Sequence, residues 1–287
     1  MLSYQLRLVI IVFSLVVSSL SLGAQGWIQF EMAERSALPI VRASVNGLGD
    51  HRFILDAGFN EVQLDILLVD GSGMRLRSRG ESKEIDFFGE KETVPVAYLD
   101  SLGLGGQQFS SIRTLLIDGD AGMGMDGIRS YGRIGRDVLE RLRLTVHYPR
   151  KLLLLEPSPE QEVPKGGVLF TSAGRFLLVP ARLLGAIGYM EGDFVLDPNS
   201  STSLLDRKWA MENQLASKQV REVQLDNFEV GGFLRKGFSL MLGNLGTFPY
   251  VGRPVGVLGA DFLRSISISY DFPRELLWLM RVDKEAS

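Results

Sequence analysis

The chain has 287 residues, of which 45% are hydrophobic and 23% charged, and a formal net charge of -3. That length accommodates one or two domains with a full core, and the scattered charge argues against nucleic acid or an anionic membrane surface as partner. There is no cysteine, which excludes disulfides, thiolate zinc sites, thiol nucleophiles and lipidation on Cys.

The first predicted element is a targeting segment. One cation, Arg7, precedes the uncharged run Leu8 to Leu22, and small residues end at Ala24. Residues 1–24 therefore read as a secretory signal peptide, which makes the protein exported, periplasmic or secreted, with a bacterial envelope favoured. The alternative is an uncleaved membrane anchor, for which the run is short, since about 20 apolar residues span a bilayer.

Strands dominate the rest of the chain. Leu38 to Val45 is largely apolar and ends at the turn Asn46-Gly47. Phe53-Ile54-Leu55 is an apolar run ending in Asp56-Ala57-Gly58. The charged stretch Arg75 to Glu92 predicts a hairpin; it reads equally as a flap over a cleft or as a plain solvated hairpin. Asp118 to Gly127 is acidic and glycine-rich, but Arg129 stands where a calcium loop carries its Glu, so it reads as an acidic surface loop. His51 and His147 lack metal-like spacing. Asn199-Ser200-Ser201 fits a glycosylation sequon that only a eukaryotic secretory route would use.

Next comes the motif Gly132-Arg133-Ile134-Gly135-Arg136-Asp137-Val138-Leu139, with a short helix predicted over 136–141. Leu142, Leu144 and Val146 alternate with polar residues, the signature of a half-buried strand. Tyr148-Pro149-Arg150 turns the chain into the apolar strand Leu152 to Leu155. Residues 157–167, rich in Pro, Gly and charge, read as a linker.

The whole pattern then returns. Phe194-Val195-Leu196 runs into Asp197-Pro198-Asn199. Gly256-Val257-Leu258-Gly259-Ala260-Asp261-Phe262-Leu263 repeats the glycine motif 124 residues later, followed by a short helix over 260–264. Ile266 to Tyr270, Phe272-Pro273-Arg274 and Leu276 to Leu279 repeat its continuation. Repeat one spans 27–156 and repeat two 168–283. The fold class is mainly β, and helical periodicity is confined to the two short pieces after the glycine motifs.

An apolar strand ending in Asp, followed downstream by Gly-apolar-apolar-Gly-x-Asp-x-Leu, resembles the retropepsin-like aspartic proteases. The resemblance covers residues 35 to 283 and is carried twice, with Arg133 the one departure inside the glycine motifs. It implies two lobes with pseudo-two-fold symmetry and a cleft between them, in a tandem form of bacterial type that replaces a homodimer and is monomeric. It implies that Asp56 and Asp197 are the catalytic pair, on loops Asp56-Ala57-Gly58 and Asp197-Pro198-Asn199. In that family one carboxylate takes a proton from water and its protonated partner holds the peptide carbonyl, so no metal or cofactor is needed.

The same resemblance shows what has changed. The family's hydroxyl residue after each Asp helps hold the two loops together; Ala57 and Pro198 have no hydroxyl, and Pro198 also lacks a backbone donor. Asn199 replaces Gly at a position where Asn tolerates a left-handed backbone. Two functional expectations result: an aspartic endopeptidase acting on extended polypeptide, or a pseudoprotease that binds peptide or protein without cutting it. A structural envelope protein is a third reading, and it predicts no close Asp pair. Gly132, Gly135, Asp137, Gly256, Gly259 and Asp261 are expected to be structural, with the two aspartates bonding local backbone or an Arg.

Overall fold

The computed structural model describes residues 26–87, 90–118, 124–125, 128–158, 165–173, 176–185, 188–247 and 252–282. The signal-peptide expectation and most of the acidic 118–127 loop lie outside them. In chain order the first half contains β1 (Trp27–Gln29), β2 (Ile40–Val45), β3 (Leu48–Leu55), β4 (Val62–Asp65), α1 (Ile66–Ser72), β5 (Arg77–Phe87), β6 (Glu90–Leu104), β7 (Gln107–Ile117), β8 (Gly124–Met125), β9 (Ile128–Arg129), β10 (Gly132–Ile134), α2 (Arg136–Leu139), β11 (Leu142–His147) and β12 (Leu152–Pro157). The second half contains β13 (Val168–Leu169), β14 (Thr171–Ala173), β15 (Phe176–Gly185), β16 (Gly188–Leu196), β17 (Leu204–Asp206), α3 (Arg207–Glu212), β18 (Glu222–Val230), β19 (Phe233–Gly243), β20 (Gly256–Leu258), α4 (Ala260–Leu263), β21 (Ile266–Asp271) and β22 (Leu276–Arg281).

The protein is mainly β and two-lobed. In lobe one the strand order is β2-β3-β10-β4-β7-β6-β5, and a further β2–β6 pairing closes the sheet into a barrel. Lobe two repeats the six-stranded barrel as β15-β16-β20-β17-β19-β18, closed by β15–β18, with β14 added beside β15 where lobe one instead adds β5 beside β6. Within each barrel the strand that begins at the first glycine of the motif runs parallel to the strand that leads into the Asp: Ile134 pairs with Leu55, and Leu258 with Leu196. Closure pairs the first and last strands of each six-stranded barrel, and β5 and β14 are left as the edge strands of their sheets.

The interiors differ in composition but not in plan. Lobe two packs Phe194, Phe228, Phe238 and Phe262 edge-on or tilted, with ring centroids 5.2 to 6.0 Å apart. Three of the four are fully buried, and each contributes about 2–3 kcal/mol through apolar area removed from water. Lobe one fills the same space with Phe53, Leu64, Leu99, Leu102 and Ile134, also buried.

A third sheet joins the lobes, in the order β1-β12-β11-β21-β22-β13. At its centre Thr145 pairs with Ser269, its equivalent in the repeat, and their hydroxyl oxygens lie 2.9 Å apart. A residue that pairs with its own counterpart marks the local two-fold axis. The axis is thus fixed by backbone hydrogen bonds between β11 and β21.

Strand β11 alternates buried and half-buried as its sequence pattern predicts, but every residue of β21 is buried. The polar side of β21 is covered and satisfied: Ser269 bonds Thr145, and Asp271 accepts from Ser158 at 2.7 Å and pairs with Arg274 at 2.9 Å. Ser158, at the start of the expected linker, is thereby tied to the central sheet.

Two helices go beyond the sequence expectation. Helix α1 begins at Asp65, whose carboxylate accepts from Leu67 N at 2.8 Å, and ends at Gly73 with φ 65°. Helix α3 begins at Asp206 in the same way, accepting from Trp209 N at 2.9 Å. Both are N-capped by Asp. The apolar run Ile66 to Val69 obscures the helical period, and the pieces are only 7 and 6 residues long. The Arg75 to Glu92 hairpin does form, as β5 and the start of β6. Lys83 on β5 forms an ion pair with Glu61, which Arg113 on β7 also reaches at 3.2 Å.

Candidate active site

Each candidate Asp comes directly after the last residue of its strand, and a glycine motif shapes the turn beyond it. A Cβ on Gly135 would lie 2.4 Å from Glu61 O and 2.8 Å from Phe59 O; on Gly259 it would lie 2.8 Å from Ser200 O and from Thr202 O. The second glycine of each motif is therefore required by close backbone approach, not by an unusual φ. The first is required by an aromatic ring: a Cβ on Gly132 or Gly256 would strike Phe53 or Phe194.

The two turns are built alike. Asp56 N donates to Ile134 O and Asp197 N to Leu258 O, both at 3.1 Å. The Oδ1 atoms accept from Gly58 N at 2.8 Å and from Asn199 N at 3.0 Å. Phe59 N and Ser200 N close the turns onto the Asp carbonyls, both at 3.1 Å, and the helices dock through Arg136 N to Phe59 O and Ala260 N to Ser200 O, at 2.7 and 2.8 Å. Four equivalent bonds agree within 0.2 Å although Ala57, Pro198 and Asn199 depart from the family pattern. The glycine motifs set this shared geometry at the Asp and at the residue that docks the helix; the middle residue of each loop, which lacks the hydroxyl, is held by separate contacts.

The middle residue of each loop is held from outside. Ala57 O accepts from Arg136 Nε at 3.0 Å, and the Arg136 side chain is nearly buried. Pro198 O accepts from Ala37 N at 2.6 Å and from Ser36 Oγ at 3.2 Å. These last two bonds cross from the first half of the chain to the second.

The sharpest asymmetry is Arg133. Its counterpart Val257 is fully buried and apolar. Arg133 instead places Nη1 2.9 Å from Asp56 Oδ2, with both side chains only 15% exposed, and stacks its guanidinium 4.0 Å from the centre of the Phe59 ring. Such a charge-assisted, largely desolvated bond is among the strong ones. Asp56 thus spends one oxygen on Gly58 N and the other on a cation.

The structural aspartates also differ. Asp261 accepts from Ser203 N at 3.0 Å, Ser203 Oγ at 2.6 Å and Phe262 N at 2.8 Å. In lobe one Val62 occupies the place of Ser203, and Asp137 Oδ1 is buried without a partner. Burial pushes the Asp137 carboxyl up to about 6, opposed by the Val138 and Val62 amides. Asp137 lies in a pocket of about 420 Å³ shared with Glu61, Arg113, Arg136 and Arg141. Asp261 is thus bonded to local backbone and to the Ser203 hydroxyl, whereas Asp137 faces the Val138 and Val62 amides with Oδ1 unpartnered. Among the described residues no group of three or more His, Asp and Glu side chains is arranged to hold a metal.

Closed twin barrels, a dyad-centred joining sheet and an Asp turn at the same place in each lobe define the fold of two-lobed aspartic proteinases. The chain is similar to the solved structure of an aspartic proteinase from Irpex lacteus, with a TM-score of 0.57 over 91% of this chain and 99% of that one, at 11% identity. At that identity the likeness is one of fold. It extends over the whole two-lobed proteinase and does not single out the retropepsin-like kind. No family model matches the sequence, and no curated protein matches it.

Proposed function

We propose that this protein is a polypeptide-binding member of the aspartic-proteinase fold, a retropepsin-like tandem whose hydrolytic function is blocked by Arg133. The observation that carries the reading is the Arg133–Asp56 ion pair. Paired aspartates hydrolyse peptides because two like charges close together share one proton, leaving one base and one acid. A cation bound to one member offsets that repulsion and removes the reason to share. It also occupies the oxygen that would take a proton from water. The ligand is an extended segment, recognised by backbone pairing as strands are. Export to a bacterial envelope would bring it polypeptide ligands there.

A second reading, aspartic endopeptidase, is favoured by the matched turns at Asp56 and Asp197. Chain starting at Gln25 and a library of extended peptides separate the two. Binding by fluorescence anisotropy without cleavage by mass spectrometry, between pH 4 and 7, is the expected result. Cleavage by the wild-type chain that Asp56→Asn and Asp197→Asn each abolish would establish the endopeptidase instead. Absence of peptide binding would remove both.

A further inference from the structure

The loop after Asp197 lacks its hydroxyl and carries a proline, yet its geometry matches the loop after Asp56. Something else must hold it. The residues that touch Pro198 O come from the segment between β1 and β2, which runs from the joining sheet into lobe one and contacts lobe two on the way. Ser36 is 2% exposed; its Oγ donates to Pro198 O at 3.2 Å and accepts from Leu38 N at 3.0 Å. The second bond curls the segment so that Ala37 N points at the same carbonyl, at 2.6 Å. Arg264, which caps α4, gathers the segment from below: its Nη2 donates to Ala33 O at 2.6 Å and Ser36 O at 3.0 Å. The counterpart of Arg264 in repeat one is Glu140, which instead pairs with Arg136 at 3.5 Å. The clamp is therefore particular to the Asp197 side.

We infer that Ser36 is a positioning residue for Asp197, and that the strap 33–37, seated by Arg264, replaces the lost loop-to-loop hydroxyl bond. The Asp56 loop is held within its own lobe by Arg136, whereas the Asp197 loop is held by the other half of the chain. The consequence for peptide affinity rests on the binding reading proposed above; the positional role does not.

Hydrogen exchange resolved by NMR tests the two separately. The reporters are the amides of Asn199 and Ser200, which bond Asp197, with those of Gly58 and Phe59 as control. Ser36→Ala should speed exchange at the reporters several-fold and Arg264→Ala about tenfold, the size expected for losing a buried hydrogen bond of about 1.4 kcal/mol. The control amides should not change. Ser36→Thr, which keeps the hydroxyl, should restore protection. Exchange that is unchanged at Asn199 and Ser200, or that rises equally in both loops, overturns the inference. Peptide affinity should fall in step with lost protection; loss of protection in a chain that binds no peptide would uphold the strap and refute the binding reading.

Discussion

On the binding reading proposed above, Arg133→Val is expected to yield a slow aspartic endopeptidase. The replacement copies Val257, which fills the equivalent place in lobe two and is fully buried there, so the fold has room for it. Asp56 would keep its bond from Gly58 N, at 2.8 Å, and hence its orientation. What it would lose is the cation on Oδ2. Two turns of matched backbone geometry would then remain without a fixed positive charge on either carboxylate, and two carboxylates that approach closely share one proton and divide the acid and base roles. General acid–base catalysis contributes about 10²- to 10⁴-fold, so cleavage should rise at least ~10²-fold over wild type, most visibly at mildly acidic pH. Asp56→Asn or Asp197→Asn in the Arg133→Val background should return cleavage to baseline. Peptide affinity should change little. A folded, peptide-binding Arg133→Val chain that cuts nothing would show that Arg133 is not the block. Substitutions at Ala57 and Pro198 would then be the next suspects.

Much of this architecture is legible in the sequence because close packing imposes residue types. Gly132, Gly135, Gly256 and Gly259 stand where a Cβ would collide with a ring or a carbonyl, so the motif recurs with its structure. The strand pattern of β11 and the Pro-Arg turns are legible for the same reason: period two and a fixed proline φ leave few alternatives. Helices α1 and α3 are not, since a turn or two of helix contains too few residues to show its period, although Asp65 and Asp206 carry the capping signal. Arg133 stands out as a break in the motif, but its partner emerges only from the β3–β10 register that sets it beside Ile54. Ser36 gives no signal at all. Its role depends on a contact 162 residues away, and nothing local distinguishes it from any other serine before a strand. The site is thus readable where backbone geometry dictates the residue, and unreadable where one side chain serves a distant loop.

The unequal aspartates of the glycine motifs should show unequal energetics. Asp261→Ala leaves the Ser203 hydroxyl, fully buried, and the Ser203 amide without their acceptor. Unsatisfied buried groups cost about 1–3 kcal/mol each, so a loss of about 3–4 kcal/mol is expected by denaturant titration. Asp137 should behave otherwise, because its carboxyl is raised to about 6 by burial. A folded-state value above the unfolded one means that the folded state holds the proton more tightly. Its contribution is then fully present below about pH 4 and is lost as pH rises through about 6. Asp137→Asn, which never takes up the charge, should therefore be more stable than wild type at pH 7 and converge with it toward pH 4. Val62→Ser gives the decisive variant, since it supplies Asp137 with the hydroxyl that Ser203 gives Asp261. A donor to the charged form favours that form, so the Asp137 carboxyl carbon, tracked by NMR, should titrate lower than in wild type. A titration midpoint in Val62→Ser equal to or above that of wild type would show that the missing hydroxyl is not what sets the two lobes apart.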